Sequence, residues 1–174
     1  MSYHRIMIIG SGGAGKSTLS RQIHEITGLP IFHLDKYYWQ PNWIESDKHE
    51  WEKTVQALTN QDVWIMDGNY GGTMDIRLKK ADTIIFLNLS RWVCLRRVII
   101  RTILSYGKSR PDMTPGCPER FSWEFLQYIW NYPATRSPHI LKKLEGLSNS
   151  KNVIILESPG EVKNFLKSLP QKSG

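Results

Sequence analysis

Eight residues near the start of the chain, Gly10-Ser11-Gly12-Gly13-Ala14-Gly15-Lys16-Ser17, have the types and spacing needed to hold a polyphosphate. They fit G-x-x-x-x-G-K-[ST], where the glycines let successive backbone N–H groups turn inward around an anion that a Cβ would keep away. Lys16 supplies a point charge for β- and γ-phosphates, the Ser17 hydroxyl is placed for Mg²⁺, and the N-terminus of the next helix faces the remaining negative charge. The bland alternative is a glycine-rich turn that binds nothing. Four fixed positions between a strand and a helix argue against it: Ile6-Met7-Ile8-Ile9 reads as a buried strand, and Leu19, Ile23 and Ile26 keep helical spacing until Gly28-Leu29-Pro30.

A magnesium-nucleotide site also needs a carboxylate near the metal. Asp67, directly after the apolar run Val63 to Met66, is the best placed and would act through water, in the manner of a Walker B acid. Asp35, after the short strand Ile31 to Leu34, is placed to orient or deprotonate a phosphate acceptor. Either acid could instead cap a turn.

Cations over a transferring phosphate stabilise its developing charge. Arg97 and Arg101 share a helix face by their spacing of four, with Arg91, Arg96, Lys108, Arg110 and Arg120 close by in sequence. Between them, Gly107 to Pro118 is too rich in proline and glycine for a regular element, so a lid over about 107–122 carrying Arg110 and Arg120 is expected. A solvated basic face with a surface loop is the competing reading. Arg136 could reach back to phosphates or pair with a surface acid. Tyr37, Tyr38, Trp39 and Trp43 follow Asp35 without strand alternation and could wall an acceptor pocket or simply pack. Phe121, Trp123, Phe125, Tyr128 and Trp130 read as packing residues of a helix, and the five histidines show no metal-ligand spacing.

The elements that must position these groups alternate. A helix entered from Ser46-Asp47 carries Trp51, Val55 and Leu58 on one face; Thr83 to Leu89 is a strand; Arg91 to about Tyr106 is a long helix. Helical patterns resume over Phe121 to Asn131 and Ser137 to Leu147. A last strand runs from Val153 to Leu156, and Ser158-Pro159-Gly160-Glu161 forms a capping box for a terminal helix. Five strands separated by helices predict one α/β domain over the 174 residues, with a frayed tail from Pro170 to Gly174.

Composition bounds the rest. The apolar and charged fractions, 40% and 22%, are those of an ordinary globular chain, and no apolar run reaches the roughly 20 residues of a bilayer span. The first strand begins too early to leave room for a signal peptide, so a cytoplasmic location is expected. Cys94 and Cys117 suggest neither a disulfide framework nor a zinc site. The formal net charge of +7 suits an anionic partner, whether nucleotide, phosphorylated substrate or nucleic acid. It leaves oligomeric state open.

Taken together, these residues resemble the small nucleoside and nucleotide kinases among P-loop proteins, the adenylate kinase and shikimate kinase relatives. Within that group the chain looks most like the DNA topology modulation family, through His33-Leu34-Asp35 with Trp39, Trp64-Ile65-Met66-Asp67-Gly68-Asn69-Tyr70, and Arg110-Pro111-Asp112 leading to Gly116-Cys117-Pro118-Glu119-Arg120. The resemblance implies a three-layer α/β fold with a parallel sheet in the order 2-3-1-4-5. It implies ATP held by Gly10, Gly12, Gly13, Ala14, Gly15, Lys16, Ser17 and Thr18 with Arg97 and Arg101, and Mg²⁺ at Ser17 and Asp67. It also implies an acceptor site between Asp35 and Arg77 and a lid carrying Arg110 and Arg120; with the residues read above, the expected acceptor site is Asp35, Tyr38, Asp67, Arg77, Arg120 and Arg136, and the expected catalytic residues are Lys16, Asp35, Arg97, Arg101 and Arg110. Two departures matter. Asn69-Tyr70-Gly71-Gly72 stands where adenylate kinase relatives have an aromatic, a proline and an arginine, which disfavours a nucleoside monophosphate acceptor; His33 stands where shikimate kinase relatives have a second acid.

The expected activity is therefore ATP- and Mg²⁺-dependent transfer of a γ-phosphate to a small-molecule acceptor. The alternatives are a nucleotide-regulated DNA-binding protein, using the arginines on phosphodiester backbone, and a slow ATPase or nucleotide sensor. Against DNA binding, no helix-turn-helix, zinc-finger or RNA-binding signature is present.

Overall fold

The structure, a computed structural model, describes residues 3–170, so most of the expected frayed tail lies outside the described residues. Five parallel strands form its sheet: β1 (Arg5–Gly10), β2 (Ile31–His33), β5 (Trp64–Asp67), β6 (Thr83–Leu87) and β7 (Asn152–Leu156). They lie side by side as β2-β5-β1-β6-β7. Counting these strands alone, that is 2-3-1-4-5; the shift in labels comes from a ribbon not foreseen from sequence, β3 (Trp39–Gln40) paired antiparallel with β4 (Ile44–Glu45).

Both faces of the sheet are covered, which is why its strands read as unbroken apolar runs rather than alternations. From β1, Ile6 and Ile8 pack with Leu19 and Ile23 of α1 (Lys16–Thr27), Cys94 and Val98 of α5 (Arg91–Ser105) and Phe165 of α8 (Pro159–Ser168). Met7 and Ile9 point the other way. They join Trp51 and Val55 of α3 (Lys48–Thr59), Leu78 of α4 (Met74–Lys80), Tyr132 of α6 (Trp123–Thr135) and Ile140 of α7 (Ser137–Glu145).

Capping chemistry sets the helix starts. Asp47 accepts from the N–H groups of His49 and Glu50 to open α3, and Ser158 accepts from Glu161 N–H to open α8. The single-turn α2 (Asp35–Tyr38) begins where β2 ends, so Asp35 stands at the C-terminal edge of the sheet. Asp67 closes β5 at that same edge, and the phosphate loop leaves β1 there too. In an open parallel sheet this edge is where ligands bind.

Between β1 and α1 the loop is fixed by two left-handed glycines, Gly13 at φ 75° and Gly15 at φ 99°. A Cβ on Gly13 would fall on the Cys94 carbonyl oxygen of α5, so backbone strain and steric overlap act together. Gly13→Ala is accordingly expected to lower stability by about 2 kcal/mol, read by thermal unfolding.

Candidate active site

Above that edge lies a cavity of about 830 Å³, walled by the phosphate loop, Asp35 of α2, the end of β5, Trp39 and Trp43, the irregular segment that carries Arg110, Asp112, Glu119 and Arg120, and Phe125 and Tyr128 of α6. Lys16 reaches back over its own loop, its Nζ donating to the carbonyls of Gly10 and Ser11 at 3.0 Å each. Burial lowers the Lys16 pKa, an effect that the nearby Asp35 and Asp67 carboxylates oppose. Arg97 donates to the Ala14 carbonyl at 3.0 Å, placing its guanidinium beside Gly15.

Asp35 accepts a 2.5 Å hydrogen bond from the Tyr70 hydroxyl. Withdrawal from water pushes its pKa up, more than the Tyr70 bond and Lys16 pull it down. A carboxyl so raised is a better proton acceptor than an ordinary aspartate. Asp67 is 4% exposed, and one of its oxygens, Oδ2, accepts from Ser20 Oγ at 2.7 Å and lies 2.8 Å from His33 Nδ1. These two partners orient the carboxylate toward the cavity it helps to line.

The lid segment brings both signs of charge. Arg101 meets Glu119 through Nε and Nη2 at 3.1 and 2.9 Å, while Arg110 spans Asp112 at 3.2 Å and Glu119 at 3.1 Å. Arg120 lies over the Trp43 ring at 5.4 Å. The segment is stitched to the ribbon before it: Trp43 Nε1 donates to the Pro118 carbonyl at 3.1 Å and Asn42 N–H to the Gly116 carbonyl at 2.8 Å. Asn42 and Trp43 hold positive φ values of 66° and 62°, a strain that such ties maintain beside a ligand cavity.

Gly12, Gly13, Gly15, Lys16, Ser17, Thr18, Asp35, Asp67, Arg97, Arg101, Arg110 and Arg120 all line this one cavity. Gly10 and Ala14 do not; they support it through their carbonyls. Three expectations for the acceptor site are corrected. Tyr38 donates to Glu45 at 2.9 Å and packs on Trp51 and Tyr70, away from the cavity, because the turn of α2 directs it down onto α3. Arg77 is wholly buried and donates to the carbonyls of Gly68, Asn69 and Tyr70. Arg136 is exposed where α6 meets α7 and is absent from the cavity wall. Likewise Phe121 and Trp123, read as packing residues, are each 62% exposed.

Sequence reasoning missed several wall residues. Asn69 accepts from the Gly10 N–H at 3.0 Å and donates to the Tyr128 hydroxyl at 2.9 Å, tying the loop after β5 to the phosphate loop and α6. Tyr70, Asp112 and Glu119 also line the wall, and His33 supports it through Asp67. Their partners are 18 to 35 residues away for Glu119 to Arg101, His33 to Asp67 and Tyr70 to Asp35, so no local spacing announces them.

No family model matches the chain, and no curated protein matches it. Solved structures do. A shikimate kinase from Acinetobacter baumannii in complex with shikimate is similar at TM-score 0.63 and 15% identity, over 95% of this chain and 90% of that one. A shikimate kinase from Bacteroides thetaiotaomicron follows at 0.57 and 16%, over 95% and 96%. A gluconokinase from Sinorhizobium meliloti gives 0.54 and 17%, over 94% and 87%. At such identities the likeness establishes the fold, that of the P-loop kinases.

Proposed function

We propose that this chain is an ATP- and Mg²⁺-dependent phosphotransferase that moves a γ-phosphate to a hydroxyl group of a small molecule. One observation carries the reading. Lys16, Arg97, Arg101 and Arg110 share a single cavity with a partly buried, base-like Asp35, at the sheet edge where the phosphate loop ends. Cations and acid thereby flank the path of a transferring phosphate. Hydroxylated acids of the sugar-acid kind are the acceptor class suggested by the similar structures, and nucleosides the class suggested by the resemblance of the motifs, while His33 speaks against shikimate itself.

The donor set fits a magnesium ion carried by the nucleotide. Among the described residues, no group of three or more His, Cys, Asp or Glu could hold a metal alone. Mg²⁺ in such sites takes only one or two carboxylates beside phosphates and water, and Ser17 and Asp67 supply a hydroxyl and a carboxylate at the cavity wall. Bound there, the ion neutralises charge on the β- and γ-phosphates. The protein's part is positional: the loop amides and Lys16 seat the phosphates, Asp35 orients the acceptor, and the lid segment excludes water.

A DNA-binding role would draw on the same arginines. Arg101 and Arg110, paired with Glu119 and Asp112, lie on the wall of the cavity, a place that a small anion enters and a duplex does not. Among the described residues no helix is long and apolar enough to cross a membrane.

Phosphorus NMR of ATP with nucleosides, nucleoside monophosphates, sugar acids and small cyclic alcohols tests the activity. A new phosphorylated product supports it; ATP left intact with every acceptor class would refute it. Asp35→Asn should reduce kcat by roughly 10²–10⁴-fold while leaving the thermal midpoint unchanged or higher. Because burial raises the Asp35 pKa, the ionised form costs stability, and asparagine removes that cost. In the native protein kcat should fall as pH drops through this raised pKa, so its acidic limb lies above the ordinary aspartate value of about 3.9. A pH–rate profile of kcat reads that limb directly.

A further inference from the structure

The lid segment was expected to bring cations; it also brings two carboxylates, Asp112 and Glu119, each only 6% exposed. Glu119 is fully used by Arg101, Arg110 and the Thr102 hydroxyl. Asp112 is not. Its ion-pair partner is Arg110, which it shares with Glu119, and it lines the cavity wall together with Ser17 of the phosphate loop.

We propose that Asp112 belongs to the magnesium shell of the nucleotide complex, carried by the lid segment to the Ser17 end of the phosphate loop. The inference rests on the phosphotransferase reading above.

Placement is the first argument. A turn closed by Met113 N–H on the Arg110 carbonyl at 3.1 Å presents Asp112 inward, and Met113 itself is buried. Thr114 Oγ1 then pins the segment, lying 3.0 Å from the Lys36 carbonyl and 2.7 Å from that of Trp39, one turn beyond Asp35. The carboxylate is thus held on the cavity wall that it shares with Ser17, by structure on both sides of it.

Charge is the second. Lys16 and five arginines line the cavity against five carboxylates, so its formal charge is nearly balanced. A polyphosphate entering beside Ser17 would face a desolvated Asp112 carboxylate at close range, which is repulsive at low effective dielectric. A divalent cation between them reverses the sign. One or two carboxylates in addition to phosphates are what Mg²⁺ takes. Since Asp67 Oδ2 is already bound by Ser20 and His33, Asp112 is the lid's contribution to that pair. A shell split between the phosphate loop and the lid forms only when nucleotide and lid come together.

Electron paramagnetic resonance of Mn²⁺, titrated into the full chain with and without a saturating non-hydrolysable ATP analogue, tests this. With wild-type protein Mn²⁺ should bind tightly only when the analogue is present. Asp112→Asn should weaken that Mn²⁺ binding at least tenfold while analogue affinity in EDTA holds or tightens, since the repelling charge is gone, and Asp112→Glu should recover part of the Mn²⁺ loss. Matching thermal midpoints verify the fold of each variant. Mn²⁺ affinity within twofold of wild type in Asp112→Asn overturns the inference but leaves the phosphotransferase reading standing. So does analogue binding in EDTA that tightens tenfold with unchanged Mn²⁺ affinity, since Asp112 would then act only as an anion repelling phosphate. Wild-type protein that binds no analogue, with or without metal, refutes the phosphotransferase reading itself.

Discussion

Lys16→Ala should lose roughly 10²–10³-fold in ATP turnover and most of its affinity for a non-hydrolysable analogue, yet unfold at an unchanged or slightly higher temperature. Both halves follow from one geometry. The Lys16 ammonium is desolvated enough to lower its pKa, and its hydrogen bonds go to the Gly10 and Ser11 carbonyls of the loop it must leave when phosphate binds. Those carbonyls hold a charge in waiting and contribute little net stability, so removing the cation frees the fold of a desolvation cost. The anion then meets backbone amides alone. Lys16→Met, which keeps the stem and its packing, should behave like Lys16→Ala in turnover and so separate charge from shape. Steady-state phosphorus NMR and isothermal titration check the first half, and a circular-dichroism melt checks the second. Normal turnover in Lys16→Ala would remove the loop from the mechanism.

How far the fold was legible depends on whether a residue's partner lies near it in sequence. β1, the phosphate loop and α1 were readable because each identity is fixed by a local need: apolar faces on both sides for Ile6 to Ile9, left-handed backbone for Gly13 and Gly15. Asp35 and Asp67 were readable for a related reason, since a strand that ends in an acid announces where that acid sits. The ribbon was not. Its strands hold two residues each, too few for an alternation, and Asn42 and Trp43 owe their positive φ to lid contacts more than 70 residues away. The arginine-rich stretch was half legible. Arg97 and Arg101 both reach the cavity as their spacing requires, but nothing near Arg101 reveals that Glu119 will meet it across an irregular segment. Trp123 was misread because aromatic content was taken for burial, whereas the apolar side of α6 is carried by Ile129 and Tyr132.

Arg77 shows the same limit at a larger energetic scale, and its substitution carries the largest expected loss of stability in the chain. An arginine soon after the Asp-Gly at the end of β5 invites an acceptor-binding role, because a guanidinium matches carboxylate or phosphate. The structure instead turns it back from α4 into the protein, where it donates to three successive carbonyls, Gly68, Asn69 and Tyr70. Burial lowers its pKa to about 9, so it stays charged at neutral pH with those carbonyls as its counter-dipoles. The clamp has a purpose at the cavity. Tyr70 is held at φ 34°, which a side chain adopts only under constraint, and its hydroxyl then reaches Asp35. Asn69 in turn holds the Gly10 N–H of the phosphate loop. Arg77→Met keeps the apolar volume and removes all donors, leaving buried carbonyls unsatisfied at about 3–5 kcal/mol in total. For a chain of 174 residues this is a fall of about 10 °C in thermal midpoint, read by calorimetry. Arg77→Lys should recover only part of it, since one ammonium cannot span three carbonyls fixed for a planar fork. Turnover should fall in both variants through kcat, because Tyr70 releases Asp35 from its orientation. A wild-type melting temperature for Arg77→Met, with a raised KM for the acceptor and normal kcat, would instead place this guanidinium on the substrate.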